Sequence, residues 1–315
     1  MPTLKTITIF GAGGDNIGKS ILSALLLDPS SFKVSILTRQ SSKSTYPSSA
    51  TILRVPDDLP HDALVHALKG QEIVISAVGF ASGALETQYR VIDAAIEAGV
   101  KRFVPSEYGF DYADPGNAWL SPVFRVKGEV AGYLEGKVRE HEGFGWMGLA
   151  SGIWLEWALE VKFLGIDPVE HTVAYWDGAY HAASHTTLSY AAQGVIECLK
   201  HPEETKNKRV FLEAFTASQR EIVAELEKQQ GVKYEELEPV DGKKTVEDAH
   251  QRWEASGQTD NDAVITTVVA GILMPEYHAD FVQSGKKPML EDLVQMPKVT
   301  LEDVVRTVVE RQARA

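Results

Sequence analysis

Over the first half of the chain, β-branched apolar runs alternate with stretches whose apolar residues recur at helical spacing. Leu4 to Phe10 reads as a strand, broken by Gly11-Ala12-Gly13-Gly14; Ile17, Ile21, Ala24 and Leu25 then mark a helix. Lys33 to Thr38 and Ala50 to Val55 read as the second and third strands, with a helix around Asp62 to Lys69. Glu72 to Gly79 is a strongly apolar fourth strand. Leu85, Tyr89, Ile92 and Ile96 give the next helix, with Gly99 placed to cap its C-terminus. Arg102 to Pro105 and Gly145 to Ala150 complete the strands of this half. Strands alternating with helices build right-handed βαβ units around a parallel sheet covered on both faces.

Beyond about residue 150 the alternation loosens and tryptophans gather: Trp146, Trp154, Trp157 and Trp176. Arg209 to Phe215 reads as a strand followed by a helix, Lys228 to Gly257 as a polar, helical surface region, and Pro297 to Arg311 as an amphipathic helix. The expected fold is α/β: a doubly wound parallel sheet of the Rossmann type with a smaller, partly interleaved α/β substrate lobe. The expected division is 1–155 for the nucleotide domain, with later strands from about 183–215, and 156–182 plus 216–315 for the substrate lobe.

Acidic residues number 44 against 31 basic ones, a formal charge of −13. That balance repels phosphate backbones and anionic membranes, so neither nucleic acid nor membrane is an expected partner. Cys198 is the one cysteine, which excludes an intrachain disulfide and a multi-cysteine metal site. Met1 to Phe10 lacks the basic start and long apolar run of a signal peptide, and no stretch approaches the roughly 20 apolar residues of a membrane span, so the expected location is cytoplasmic. The expected partner is a small-molecule substrate; the oligomeric state is left open between monomer and homodimer.

The order strand, Gly11-Ala12-Gly13-Gly14-Asp15-Asn16-Ile17-Gly18, helix is the context in which a glycine loop brings backbone N–H groups to a dinucleotide's diphosphate. Gly11, Gly13, Gly14, Asp15, Asn16 and Ile17 are therefore candidate cofactor contacts. The spacing is irregular, with one residue more than usual before Gly18. A carboxylate ending the second strand would hold the ribose 2′-OH of NAD. Here the chain reads Leu37-Thr38-Arg39-Gln40-Ser41-Ser42-Lys43, and Arg39, with Ser41 and Lys43, offers cationic and hydroxyl donors for a 2′-phosphate. The cofactor inferred is NADPH/NADP+. Ala77, Val78 and Gly79, ending the fourth strand, are small enough for its close approach.

The glycine loop, Gln88-Tyr89-Arg90-Val91-Ile92-Asp93-Ala94-Ala95 and above all Arg102-Phe103-Val104-Pro105-Ser106-Glu107-Tyr108-Gly109 resemble the NmrA-like, isoflavone-reductase-like branch of atypical short-chain dehydrogenases. The resemblance spans most of the chain and is strongest up to about residue 155. It implies an NADPH-dependent reductase of the kind found in plant and fungal secondary metabolism. It also implies an essential lysine on the helix after the fifth strand, which falls on Lys127, with Ser106 nearby. The second half departs from the plant members, so no plant substrate carries over.

At about 100° per residue, Val123, Lys127, Val130 and Leu134 share one stripe of that helix. A lysine there is desolvated, which lowers its pKa toward a value useful for proton transfer, and it could also hold the nicotinamide ribose. Tyr133 and Lys137 form a competing pair at the Tyr-x-x-x-Lys spacing of ordinary short-chain dehydrogenases. Tyr108, Gly152 and Trp154 are candidate substrate contacts. His181 and His185 have the spacing of a helical metal pair, but no carboxylate completes a site, and no metal is expected. The reading is a reductase adding hydride to a C=C, C=O or C=N group of a small hydrophobic or aromatic molecule. The alternatives are a non-catalytic NAD(P)-binding redox sensor, or a lyase or isomerase retaining its cofactor.

Overall fold

The computed structural model describes residues 4–14, 16–28, 31–79, 83–112 and 114–314. In chain order the elements are β1 (Thr6–Phe10), α1 (Ile17–Leu26), β2 (Lys33–Arg39), β3 (Thr51–Val55), α2 (His61–Leu68), β4 (Ile73–Ser76), α3 (Thr87–Glu97) and β5 (Arg102–Val104). There follow α4 (Pro115–Leu120), α5 (Pro122–Glu140), β6 (Gly145–Ala150), β7 (Ile153–Trp154), α6 (Leu155–Glu160), β8 (Ile166–Asp167), β9 (Thr172–Val173) and β10 (Ala182–Thr186). The chain continues with α7 (Leu188–Lys200), β11 (Lys208–Phe211), β12 (Phe215–Ser218), α8 (Gln219–Gln230), β13 (Glu235–Glu236), α9 (Gly242–Ala255), α10 (Asn261–Leu273) and α11 (Leu301–Gln312).

The chain divides into two compact units. The first comprises Met1–Tyr108, Val126–Ala150 and Ala191–Val210. Its sheet runs β11-β6-β5-β4-β1-β2-β3, and every pairing from β6 to β3 is parallel. This is the doubly wound order 3-2-1-4-5-6, whose direction of winding reverses between β1 and β4 and opens a crevice beyond the strands' carboxyl ends. Ile7, Ile9, Ile36, Ile73, Ile75 and Phe103 are fully buried, as a sheet covered on both faces requires.

The second unit comprises Gly109–Arg125, Ser151–Tyr190 and Phe211–Ala315. It holds two small sheets, β12-β10-β7 and β13-β9-β8. Three expectations change here. Residues 109–125, read as nucleotide domain, belong to the second unit. Of the strands drawn from 183–215, β11 joins the large sheet, whereas β10 pairs with β12 and β7 instead. The single strand read over Arg209 to Phe215 is two strands in different sheets, β11 and β12, separated by Leu212–Ala214.

Candidate active site

The crevice between β1 and β4 holds a cavity of about 480 Å³. Gly11, Gly13, Gly14 and Asn16 line it from the glycine loop, Ala77, Val78 and Gly79 from the end of β4, and Arg39 from the end of β2. Asp15 lies outside the described residues. Gly11, Gly13 and Gly18 each have a steric reason. A Cβ on Gly11, at φ +100°, would stand 2.6 Å from the Ala77 carbonyl; one on Gly13 would stand 2.6 Å from Ser44 Oγ and 2.9 Å from the Tyr46 hydroxyl. One on Gly18 would stand 2.6 Å from the Gly11 carbonyl oxygen, so Gly18 is what lets α1 lie against the end of β1. Asn16 caps α1, its side chain accepting from Gly18 N–H at 3.0 Å. Ile17 is a buried core side chain of that helix.

The loop after β2 is extended and alternates: Ser42, Ser44 and Tyr46 line the cavity, whereas Lys43 is exposed and does not. The cation expected from Lys43 is replaced by hydroxyls, because successive side chains of an extended segment point to opposite sides. Ser44 donates to the Gly13 carbonyl at 3.1 Å, and the Tyr46 hydroxyl donates to Thr38 at 3.3 Å. Arg54 on β3 donates to the carbonyls of Arg39, Gln40 and Ser42 at 3.3–3.4 Å. Asp57, also in the wall, accepts from Ser41, whose hydrogen bonds hold its carboxyl below the usual range. Neither Ser44, Tyr46, Arg54 nor Asp57 was expected from the sequence; the period-two alternation of Ser42, Ser44 and Tyr46 was the available signal for the first two.

Ser106 is buried and fixed twice: its N–H donates to Gln88 Oε1 at 2.8 Å and its hydroxyl donates to the Val78 carbonyl at 2.7 Å. Next to it, the Glu107 carbonyl accepts from Lys127 Nζ at 2.6 Å. Lys127 stands on α5 among buried Val123, Val126, Val130 and Leu134, half-buried itself. Loss of water around the ammonium pulls its pKa down to about 8, with the nearby Glu107 carboxylate opposing that shift. A path of contacts therefore leads from the cavity wall at Val78, through Ser106 and Glu107, to the Lys127 ammonium.

The competing pair has other partners. Tyr133 donates to Asp93 at 2.7 Å, and Lys137 pairs with the same carboxylate at 2.9 Å, which raises the lysine's pKa rather than lowering it. Neither residue lines the cavity, and neither do Ser106 and Lys127; only Ser106 bonds to a wall residue, through the Val78 carbonyl. Tyr108, expected at the substrate, is buried at φ +45° with its hydroxyl on the Ser76 carbonyl at 3.0 Å, bracing the strand ends. In the second unit Gly152, at φ +61°, packs against the Ser184 carbonyl, where a Cβ would overlap it. Trp154 donates to Ser151 Oγ at 3.2 Å and stacks edge-on with Trp157, which in turn contacts Phe163. His185 lies on strand β10, not a helix, buried against Phe215 with its pKa depressed to about 4 by desolvation. Among the described residues, no helix is long and apolar enough to cross a membrane.

A doubly wound sheet with a glycine-lined crevice at its point of reversal defines a dinucleotide-binding α/β protein. A model of the NmrA-like family matches residues 3–149. Oxidoreductase aprR of Aspergillus flavus is 40% identical over 234 residues, which are 74% of this chain and 76% of that protein. Oxidoreductase poxI of Penicillium oxalicum is 30% identical over 245 residues, 76% of this chain and 74% of that one. The solved structure "AtPrR2 with NADP+ and (+)pinoresinol" shares the fold, with a TM-score of 0.73 at 19% identity over 98% of this chain and 100% of that chain. The chain belongs to the NmrA-like family. It is an oxidoreductase.

Proposed function

We propose that the chain is an NADPH-dependent reductase that adds hydride to an electron-poor C=C, C=O or C=N group of a small hydrophobic or aromatic molecule. The observation that carries this reading is the run of contacts from the cavity wall at Val78, through Ser106 and the Glu107 carbonyl, to the Lys127 ammonium.

The cavity's chemistry fits the coenzyme. Gly13, whose missing side chain leaves room under Ser44 and Tyr46, and the N-terminal turn of α1 would hold the diphosphate. Arg39, with Ser42 and Ser44, would hold the 2′-phosphate, since no carboxylate ends β2 and Asp57 is engaged by Ser41. When bound, NADPH supplies the hydride. The proton for the other atom of the reduced bond comes from Lys127. With its pKa near 8 rather than 10.5, this ammonium is still protonated at neutral pH yet gives up a proton far more readily than an exposed lysine. The Glu107 carbonyl takes one of its three N–H groups and fixes its direction. Ser106 acts as a positioning residue: its hydroxyl proton is committed to the Val78 carbonyl, locking the segment carrying Glu107 to the cavity wall.

An aromatic substrate is supported by the named specificities of plant relatives such as phenylcoumaran benzylic ether reductase. The test is NADPH oxidation against aryl enones, quinones, cyclic imines and phenolic ethers, run with the parent and with Lys127→Met. The parent should turn over at least one class. The variant should lose about a hundredfold or more of that rate and still bind NADPH. Unchanged turnover in Lys127→Met, or no affinity of the parent for either coenzyme, would overturn the proposal. Absence of turnover with equal affinity for NADP+ and NADPH would point to a redox sensor.

A further inference from the structure

The carboxylate beside Lys127 is not left to the lysine. After β5 the chain turns sharply: Glu107 N–H donates to the Pro105 carbonyl at 2.8 Å, and Tyr108 N–H donates to the Leu149 carbonyl at 2.9 Å. This turn presents the Glu107 carbonyl to Lys127 and lays the Glu107 side chain over β6, where Gly148 leaves the space; a Cβ at Gly148 would overlap the carboxylate. Arg209, a hundred residues away in sequence on β11, grips both carboxylate oxygens. Its Nε lies 2.9 Å from Oε2 and its Nη2 lies 2.9 Å from Oε1. The two side chains are 10% and 1% exposed, so the pair is dry, and a dry carboxylate stays ionised only while a cation holds it.

We propose that Arg209 is a positioning residue of the active site: by occupying both oxygens of the Glu107 carboxylate, it prevents that carboxylate from capturing the Lys127 ammonium and so keeps the ammonium on the Glu107 backbone carbonyl. This inference rests on the reading of Lys127 as the proton carrier. Without Arg209, the buried negative charge that already acts on the Lys127 ammonium loses the guanidinium held on both its oxygens. The ammonium would be drawn off the carbonyl and held in its charged form. The other titratable group beside the Glu107 carboxylate, the Tyr108 phenol, is kept neutral by burial, and the nearest charged residues along α5, Arg125 and Glu129, are exposed. The Glu107–Arg209 pair is therefore the device that separates a structural negative charge from a chemically active amine.

The experiment reads the amine itself. Trace acylation with acetic anhydride between pH 6 and 11, followed by peptide mass spectrometry, gives the titration midpoint of Lys127 without substrate or coenzyme. In Arg209→Met the midpoint should rise by about one pH unit or more, with a roughly tenfold slower reaction below it. In Glu107→Gln/Arg209→Met, which removes both charges, it should return to the parent's value. In Glu107→Gln alone it should fall, because the guanidinium is then uncompensated. The Glu107→Gln arm keeps the test decisive if Arg209→Met does not fold. An unchanged midpoint in either single variant overturns the proposal. Because the midpoint does not depend on turnover, a failure of Lys127 as proton carrier would show separately, as unchanged rates in Lys127→Met.

Discussion

Replacing Lys127 by Met should do opposite things to stability at the two ends of the alkaline range. The folded ammonium titrates near 8 and a solvated lysine near 10.5, a difference of about 2.5 units, or about 3 kcal/mol of disfavoured charge in the native state. The side chain is only half-buried, so solvent screening reduces this to about 2 kcal/mol. The variant also loses the hydrogen bond to the Glu107 carbonyl, a loss of about 1 kcal/mol. The sign follows from proton counting. Between about pH 8 and 10.5 the unfolded chain holds a proton that the native chain has released, so the parent gains stability as pH rises through that window and carries the full penalty below it. At pH 7, Lys127→Met should therefore be more stable than the parent by about 1 kcal/mol, and near pH 10.5 less stable by about the same amount. Urea unfolding of both proteins at several pH values checks this, since every other titrating group is common to the two and cancels in the difference. A difference independent of pH would refute the reasoning, as would a variant clearly less stable at pH 7.

Arg39→Ala should weaken NADPH by ten- to a hundredfold, about 1.5–3 kcal/mol for a lost charge-assisted contact, while leaving NADH nearly untouched; calorimetric titrations giving equal losses would remove the 2′-phosphate from Arg39. Gly18→Ala places a Cβ 2.6 Å from the Gly11 carbonyl oxygen and 3.0 Å from Ala77 Cβ, so α1 must retreat from β1. It should lower stability by about 1–3 kcal/mol and weaken both coenzymes, whereas Gly14→Ala, which meets only the Asn16 side chain, should stay within about 0.5 kcal/mol. Tyr133→Phe should cost about 1 kcal/mol of stability through its bond to Asp93 and leave turnover close to the parent's; a hundredfold drop in rate would return the chemistry to Tyr133 and Lys137.

The parallel sheet was legible because its strands are apolar on both faces and its helices on one, so the period of the pattern changes at every element boundary. Where that contrast fails, the reading fails with it. The helix α10 buries residues all round, from Ala263 and Val264 to Ile272 and Leu273, and so carries no amphipathic period to notice. The second unit is built from strands of two to five residues, too short for alternation to register. The run from Lys208 to Ser218 looked like one strand and a turn because each half is apolar enough to be a strand; nothing local says that β11 and β12 join different sheets.

The site divides along the same line. Arg39 and the glycines could be read because the loop that carries them is continuous in sequence and each residue type has a job there. Lys127 stood out because an amine on an apolar stripe conflicts with its surroundings. What sets that amine's behaviour is spread over the chain: a carboxylate at 107, a missing side chain at 148 and a guanidinium at 209. Each of these is unremarkable alone, since an acidic residue after a strand, a glycine in a strand and an arginine near a strand's end are all common. Only the sheet order, which seats β6 between β5 and β11, brings them to one point. The charge balance around the lysine is thus a property of the topology, and a variant that preserved every motif but shifted β11 by one register would keep the coenzyme cradle while returning Lys127 to the Glu107 carboxylate.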